Sequence, residues 1–214
     1  MPVIERIRQK PIVPVIALED ASDAIDLCRA LKAGGLEVAE ITFRTDAARE
    51  AIATVAGEFP EFALGAGTVT TEDEAEAAKE AGAQFAVAPG FNPAVVKKAQ
   101  EIGLEFYPGV CTPSDIEGAL ALGCTVLKYF PAEAMGGLKL LKALYGPYKH
   151  RGIEFIPTGG INGENMDDYL RQPGVAAVGG SWLVDKKLLA DKRWDRVTAL
   201  TEAAVKRAAH FWNG

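Results

Sequence analysis

The stretch Phe62-Ala-Leu-Gly-Ala-Gly-Thr68, the alanine-rich segment after it, and the next run, Phe85-Ala-Val-Ala-Pro89, form a single unit. The unit is a β-rich run, a turn, an amphipathic helix and a second β-rich run. Thr71 and Glu74 stand three apart at the start of the alanine-rich segment, the spacing of a capping box, and Gly82 stands at its end as an αL cap. Asn92-Pro93 and Thr112-Pro113 likewise place a cap before a proline in the first helical turn, and Gly34-Gly35, Gly103 and Gly123 stand at further helix ends.

Worked outward, the unit recurs along the whole chain. The strand candidates are Ile12–Leu18, Val38–Arg44, Phe62–Thr68, Phe85–Pro89, Glu105–Val110, Thr125–Pro131, Glu154–Thr158 and Val175–Gly179, with starts about 20 to 29 residues apart and one helix in each gap. That alternation builds a parallel sheet through crossover helices. Eight units predict an α/β protein with a single (β/α)8 TIM barrel over residues 1–214. A short helix from Trp182 and a last helix of roughly Trp194–Phe211 close it. A doubly wound sheet is the alternative, though it would more naturally stop at five to seven strands.

The 214 residues are 49% hydrophobic and 24% charged, an ordinary globular composition that excludes disorder. The net charge of −6 argues against a general binder of nucleic acid or of anionic membranes, so an anionic substrate would need a local cation. The N-terminal Met1–Lys10 segment has no signal-peptide pattern, and no apolar run approaches a membrane span. Cys28, Cys111 and Cys124 are odd in number and lack CxxC spacing, while His150 and His210 lie far apart. These features predict a soluble, cytoplasmic protein with no disulfide framework, no metal site and no Ser/His/Asp triad. Its chemistry is expected to use lysine and carboxylates.

Polar residues inside strands carry the functional signal. In the second run Ala39, Ile41 and Phe43 form one face and Glu40, Thr42 and Arg44 the other; in a barrel without edges the polar face points inward. In the sixth, Lys128 interrupts an apolar run. It is either an ion-pair partner of Glu40 or a nucleophile, because an ammonium in apolar surroundings beside a cation such as Arg44 gives up its proton more readily. Gly159-Gly160 and Gly179-Gly180-Ser181 follow the seventh and eighth runs, where barrels often hold a phosphate on backbone N–H groups. Gly65-Ala-Gly-Thr68 adds a hydroxyl at a third carboxyl end. There is no P-loop and no GxGxxG after a strand, so nucleotide cofactors are unsupported.

Gly35-Leu-Glu-Val-Ala-Glu40-Ile-Thr-Phe-Arg44, Gly65-Ala-Gly-Thr68, Lys128-Tyr-Phe-Pro-Ala-Glu133 with Gly136-Gly137, and Pro157-Thr-Gly-Gly160 resemble the 2-dehydro-3-deoxy-6-phosphogluconate (KDPG) aldolases. That family also includes 4-hydroxy-2-oxoglutarate (KHG) aldolases. The resemblance runs from about Pro11 to the last helix. It implies a homotrimeric, metal-independent class I aldolase of the Entner-Doudoroff pathway, with no cofactor beyond a covalent imine on Lys128. It implies Lys128 as Schiff-base lysine, Glu40 as general acid/base, and Arg44 and Thr68 at the pyruvate carboxylate. Pro89 and Phe130 would line the pyruvate pocket, and Gly159, Gly160, Gly180 and Ser181 would hold the phosphate. Two residues depart from the pattern: Tyr129 stands in place of Leu or Phe, and Met135 where Asn is frequent. Tyr129 is expected to face the helices, while Met135 would bear on substrate fit or a neighbouring loop. Alternatives are the aldolase of the galactonate-derived substrate, disfavoured by Ile12-Val-Pro-Val-Ile16, a non-catalytic phosphate or sugar-acid-binding barrel, and a metal-dependent aldolase, which lacks histidine ligands at sensible spacing.

Overall fold

The computed structural model describes residues 1–211, so the last three residues of the expected domain lie outside the described residues. The strands are β1 (Ile12–Ile16), β2 (Val38–Thr42), β3 (Ala63–Gly67), β4 (Phe85–Val87), β5 (Glu105–Tyr107), β6 (Gly109–Val110), β7 (Val126–Tyr129), β8 (Glu154–Pro157) and β9 (Val178–Gly180). The helices are α1 (Val3–Gln9), α2 (Ala24–Ala33), α3 (Ala48–Glu58), α4 (Glu72–Glu80), α5 (Pro93–Glu101), α6 (Pro113–Ala121), α7 (Ala132–Met135), α8 (Gly137–Tyr148), α9 (Met166–Leu170), α10 (Lys186–Ala190) and α11 (Trp194–Ala208).

Helix starts follow their sequence signals. Thr71 Oγ1 accepts from the Glu74 N–H and Glu74 Oε2 from the Thr71 N–H, each at 3.1 Å, closing the capping box of α4. Thr112 and Asp115 make the same reciprocal pair at α6, and Asn92 caps α5 ahead of Pro93. Gly35, Gly82, Gly103 and Gly123 have positive φ after their helices, as expected of αL caps; Gly34, at φ −77°, does not.

Every pairing is parallel. The ladder is a curled six-stranded sheet ordered β5-β4-β3-β2-β1-β9 beside a three-stranded sheet β6-β7-β8, not an unbroken closed ring. One interruption is Pro108, which has no N–H to give and divides the expected fifth strand into β5 and β6. Its carbonyl still accepts from the Lys128 N–H at 2.9 Å. The other lies between β8 and β9, which meet at two isolated bridges, Phe155 to Val175 and Thr158 to Gly179. The eighth strand is therefore Val178–Gly180 rather than Val175–Gly179, and the helix expected from Trp182 begins at Lys186, after its cap Asp185.

The helix α1 has no counterpart among the elements read from the sequence. Val3, Ile4 and Ile7 share its buried face, and it lies across the amino ends of the strands: the Val3 N–H donates to Glu105 Oε1 at 2.7 Å, and Arg8 pairs with Glu154. Its charges suit the helix dipole, with Glu5 in the first turn and Arg6 and Arg8 in the last. Apolar side chains fill the interior between the two ends. Gly65 leaves its place to the Phe85 ring, whose Cζ would lie 2.2 Å from a Cβ there.

Candidate active site

Among the described residues the buried polar or charged side chains are Glu40, Thr42, Lys128, Thr158 and Thr201. Only Thr201, on α11, lies away from the carboxyl ends of the strands. Burying a charge without a partner costs several kcal/mol, so this concentration needs a reason other than stability.

The alternation in β2 is as the sequence indicates. Glu40 and Thr42 are buried, and Arg44, two residues past the strand end, is exposed at the rim. Thr42 Oγ1 donates to the Ile16 carbonyl at 2.8 Å and accepts from Arg44 Nε at 3.1 Å, which ties the base of the Arg44 guanidinium to the strand. From floor to rim the inward face thus offers a carboxylate, a hydroxyl and a cation.

Lys128, on β7, is 6% exposed and Glu40 2%. Lys128 Nζ donates to Glu40 Oε1 at 3.0 Å, 88 residues away in sequence, and lies 5.8 Å from the centre of the Phe130 ring. The ion-pair reading of Lys128 is therefore correct as geometry and compatible with a role as nucleophile. Gly67 makes the pairing possible, because a Cβ there would stand 2.3 Å from Glu40 Oε1. The next residue, Thr68, has φ +60°, a conformation that a side chain with a Cβ adopts at a cost of about 1–2 kcal/mol.

At the carboxyl ends of the strands lies a cleft of about 360 Å³, the size of a small-metabolite site, lined among others by Arg44, Phe130, Gly159, Gly160, Gly180 and Ser181. Six of the sequence-predicted residues thus meet in one cleft; Lys128 and Glu40 do not line it but adjoin it, Lys128 through the Phe130 ring and Glu40 through its register partner Val15, both of which do. The Gly160 and Ser181 N–H groups make no hydrogen bond to the described residues, so both can serve an anion. Thr68 and Pro89 stand after β3 and β4 and do not line this cleft. Pro89 instead approaches Gly109, the register partner of Lys128, so closely that a Cβ at Gly109 would lie 2.3 Å from its carbonyl.

Sequence reasoning missed Thr158, Asn162, Trp182 and Asp185, which also line the cleft. Thr158 was within reach of the alternation rule: Lys128 pairs in register with Ile156, and Thr158 stands two residues further on the same face. Asn162, Trp182 and Asp185 lie in loops, where no period marks them. Of the two departures, Tyr129 is fully buried, packs edge-on against Phe155 and donates to the Gly137 carbonyl at 3.2 Å, on the side away from Lys128. Burial pushes its hydroxyl up to about 12. Met135 is 44% exposed at the end of α7.

Among the described residues there is no group of three or more His, Cys, Asp or Glu side chains placed to hold a metal, and no helix is long and apolar enough to cross a membrane.

Comparison with known proteins bears on the same residues. The family described as KDPG and KHG aldolase matches residues 3–200. The 2-dehydro-3-deoxy-phosphogluconate aldolase of Haemophilus influenzae is 46% identical over 203 residues, 95% of each chain. The KHG/KDPG aldolase of Escherichia coli K12 is 42% identical over 198 residues, 92% of each. The solved KDPG aldolase of Legionella pneumophila, with pyruvate captured as a covalent carbinolamine, superimposes with a TM-score of 0.91. It is 37% identical, over 95% of this chain and 98% of that one.

Proposed function

Because this chain belongs to the KDPG and KHG aldolase family, we propose that it is a class I aldolase working through an imine on Lys128. It cleaves 2-dehydro-3-deoxy-6-phosphogluconate to pyruvate and glyceraldehyde 3-phosphate, and by the same steps 4-hydroxy-2-oxoglutarate to pyruvate and glyoxylate. The observation that carries the reading is the buried Lys128–Glu40 pair, hydrogen-bonded at 3.0 Å, with Lys128 beside the ring of Phe130, which lines a cleft that also holds the cation Arg44.

The pair supplies the first step. A proton passing from Lys128 Nζ to Glu40 Oε1 along their hydrogen bond leaves a neutral amine, which attacks the C2 carbonyl carbon of the substrate. The protonated Glu40 then returns that proton to the carbinolamine oxygen, which leaves as water and gives the iminium. Glu40, a carboxylate again, takes the C4 hydroxyl proton, directly or through a water. As the aldehyde forms, the C3–C4 bond breaks and its electron pair moves into the iminium, giving the enamine of pyruvate. Protonation at C3 and hydrolysis release pyruvate and restore Lys128. The electron sink is the iminium nitrogen, so these steps call for no metal or organic cofactor.

Arg44 and Thr68 hold the substrate carboxylate, Phe130 and Pro89 border the pyruvate end, and Gly159, Gly160, Gly180 and Ser181 hold the phosphate. The N–H groups of Gly160 and Ser181 and the placement of Arg44 on the cleft support these roles. We read the two sheets as one eight-unit barrel over the described residues, supported by the Pro108 junction and the bridges between β8 and β9. The same family membership supports a cytoplasmic homotrimer.

The test is incubation with pyruvate and borohydride, followed by peptide mapping. The expected result is one reduced pyruvate adduct, on Lys128, absent from Lys128→Ala. Folded protein without an adduct at Lys128 would leave only an anion-binding barrel.

A further inference from the structure

Behind the glycine-rich rim lies a buried tyrosine that the steps above do not use. Tyr169, on α9, is 1% exposed, and its hydroxyl donates to Glu133 Oε1. Burial and this carboxylate push the hydroxyl far above the ordinary phenol range, so it stays a donor. Glu133, on α7, grips the Gly159–Gly160 turn in two ways. Its N–H donates to the Gly159 carbonyl at 3.0 Å, beside the Ala132 N–H that donates to the Thr158 carbonyl at 2.8 Å. Its side-chain stem fills the space a side chain at residue 160 would need: a Cβ on Gly160 would lie 2.6 Å from Glu133 Cβ and 2.7 Å from Cγ. Gly137, at φ +58°, makes room on the far side, where a Cβ would meet Glu133 Oε1 at 3.1 Å and the Tyr169 hydroxyl at 3.3 Å.

We propose that Tyr169, acting through Glu133, is a positioning residue that holds the Gly159–Gly160 turn at a fixed distance from Lys128 and so sets the preference for phosphorylated over unphosphorylated 2-oxo acids. The inference rests on the reading that this turn receives the phosphate. Glu133 belongs to the segment that continues from Lys128, so the clasp ties the turn to the backbone bearing the nucleophile. A phosphorylated substrate is held at both ends and feels any change in their separation. The unphosphorylated 4-hydroxy-2-oxoglutarate ends in a carboxylate bonded to C4, short of where a 6-phosphate reaches, and so depends far less on that separation.

Tyr169→Phe removes one oxygen and keeps the ring. In the full-length protein it is expected to lower kcat/KM for the phosphorylated substrate about tenfold, mainly through KM. Cleavage of 4-hydroxy-2-oxoglutarate and borohydride trapping of pyruvate should stay within about twofold of the unmodified enzyme. Glu133→Gln, which keeps an oxygen acceptor for Tyr169, should retain the preference, and Glu133→Ala should lose it. Equal losses on both substrates, or no loss on either, would overturn the proposal. Inorganic phosphate as competitor separates it from the reading beneath it. No competition in the unmodified enzyme would remove the phosphate site and the clasp's purpose with it. Competition left unchanged by Tyr169→Phe would remove the clasp alone.

Discussion

The two ends of the strands solve opposite problems with the same kinds of residue. At the amino ends Arg8 pairs with Glu154 while both side chains stay about one-third exposed, at 32% and 30%, and the apolar face of α1 does the covering. At the carboxyl ends Lys128 pairs with Glu40 at 7% and 3%. A half-exposed pair keeps much of its hydration and contributes at most about 1 kcal/mol. A pair taken out of water loses several kcal/mol of hydration per ion, which its own attraction offsets only with good geometry. The difference teaches that an ion pair's burial, and not its presence, marks the functional end of this fold.

Substitutions at each end can break that contrast. The largest expected effect is that of Glu40→Gln, which should lower turnover about 10²- to 10⁴-fold, the scale of a lost general acid/base, while a pyruvate adduct still forms on Lys128 under borohydride, more slowly because the amide cannot take the lysine's proton. Turnover within a few fold of the unmodified enzyme would take Glu40 out of the mechanism. At the opposite end Ile7→Ala empties a fully buried position on α1 and should cost about 2–5 kcal/mol in urea unfolding, with the rate of borohydride trapping in the remaining folded protein unchanged. Trapping that falls with stability would show that the two ends are not independent. The smallest effect belongs to Arg8→Ala, expected to shift stability by no more than about 1 kcal/mol and turnover not at all. A loss several times larger would place that pair in the same class as Lys128–Glu40.

Much of this was legible before any coordinates. Glu40, Thr42 and Arg44 alternate with apolar neighbours, and a lysine inside an apolar run is conspicuous, because strand period and desolvation cost act locally on the sequence. The capping boxes and most glycine caps are local in the same sense. What escaped depends on distant partners. Val3, Ile4 and Ile7 of α1 are buried only because the amino ends of the strands lie beneath them. The weak seam between β8 and β9 depends on how neighbouring strands meet in space, whereas the split at Pro108 and the late start at Lys186 after its cap Asp185 had local signals that the strand and helix periods overrode. Thr68 and Pro89 do not line the cleft, but each adjoins the buried pair through a glycine, Gly67 beside Glu40 and Gly109 in register with Lys128, an adjacency that position along the chain does not reveal. The Tyr169–Glu133 contact spans 36 residues and leaves no periodic trace.

The 88 residues between Glu40 and Lys128 carry one more consequence. As the chain emerges during synthesis, the carboxylate of Glu40, on β2, precedes its partner by five strands. Lys128 arrives only with β7, and the cleft only with the last glycine pair. Pairing of the two is thus a property of the finished chain, and a borohydride adduct on Lys128 would count completed molecules.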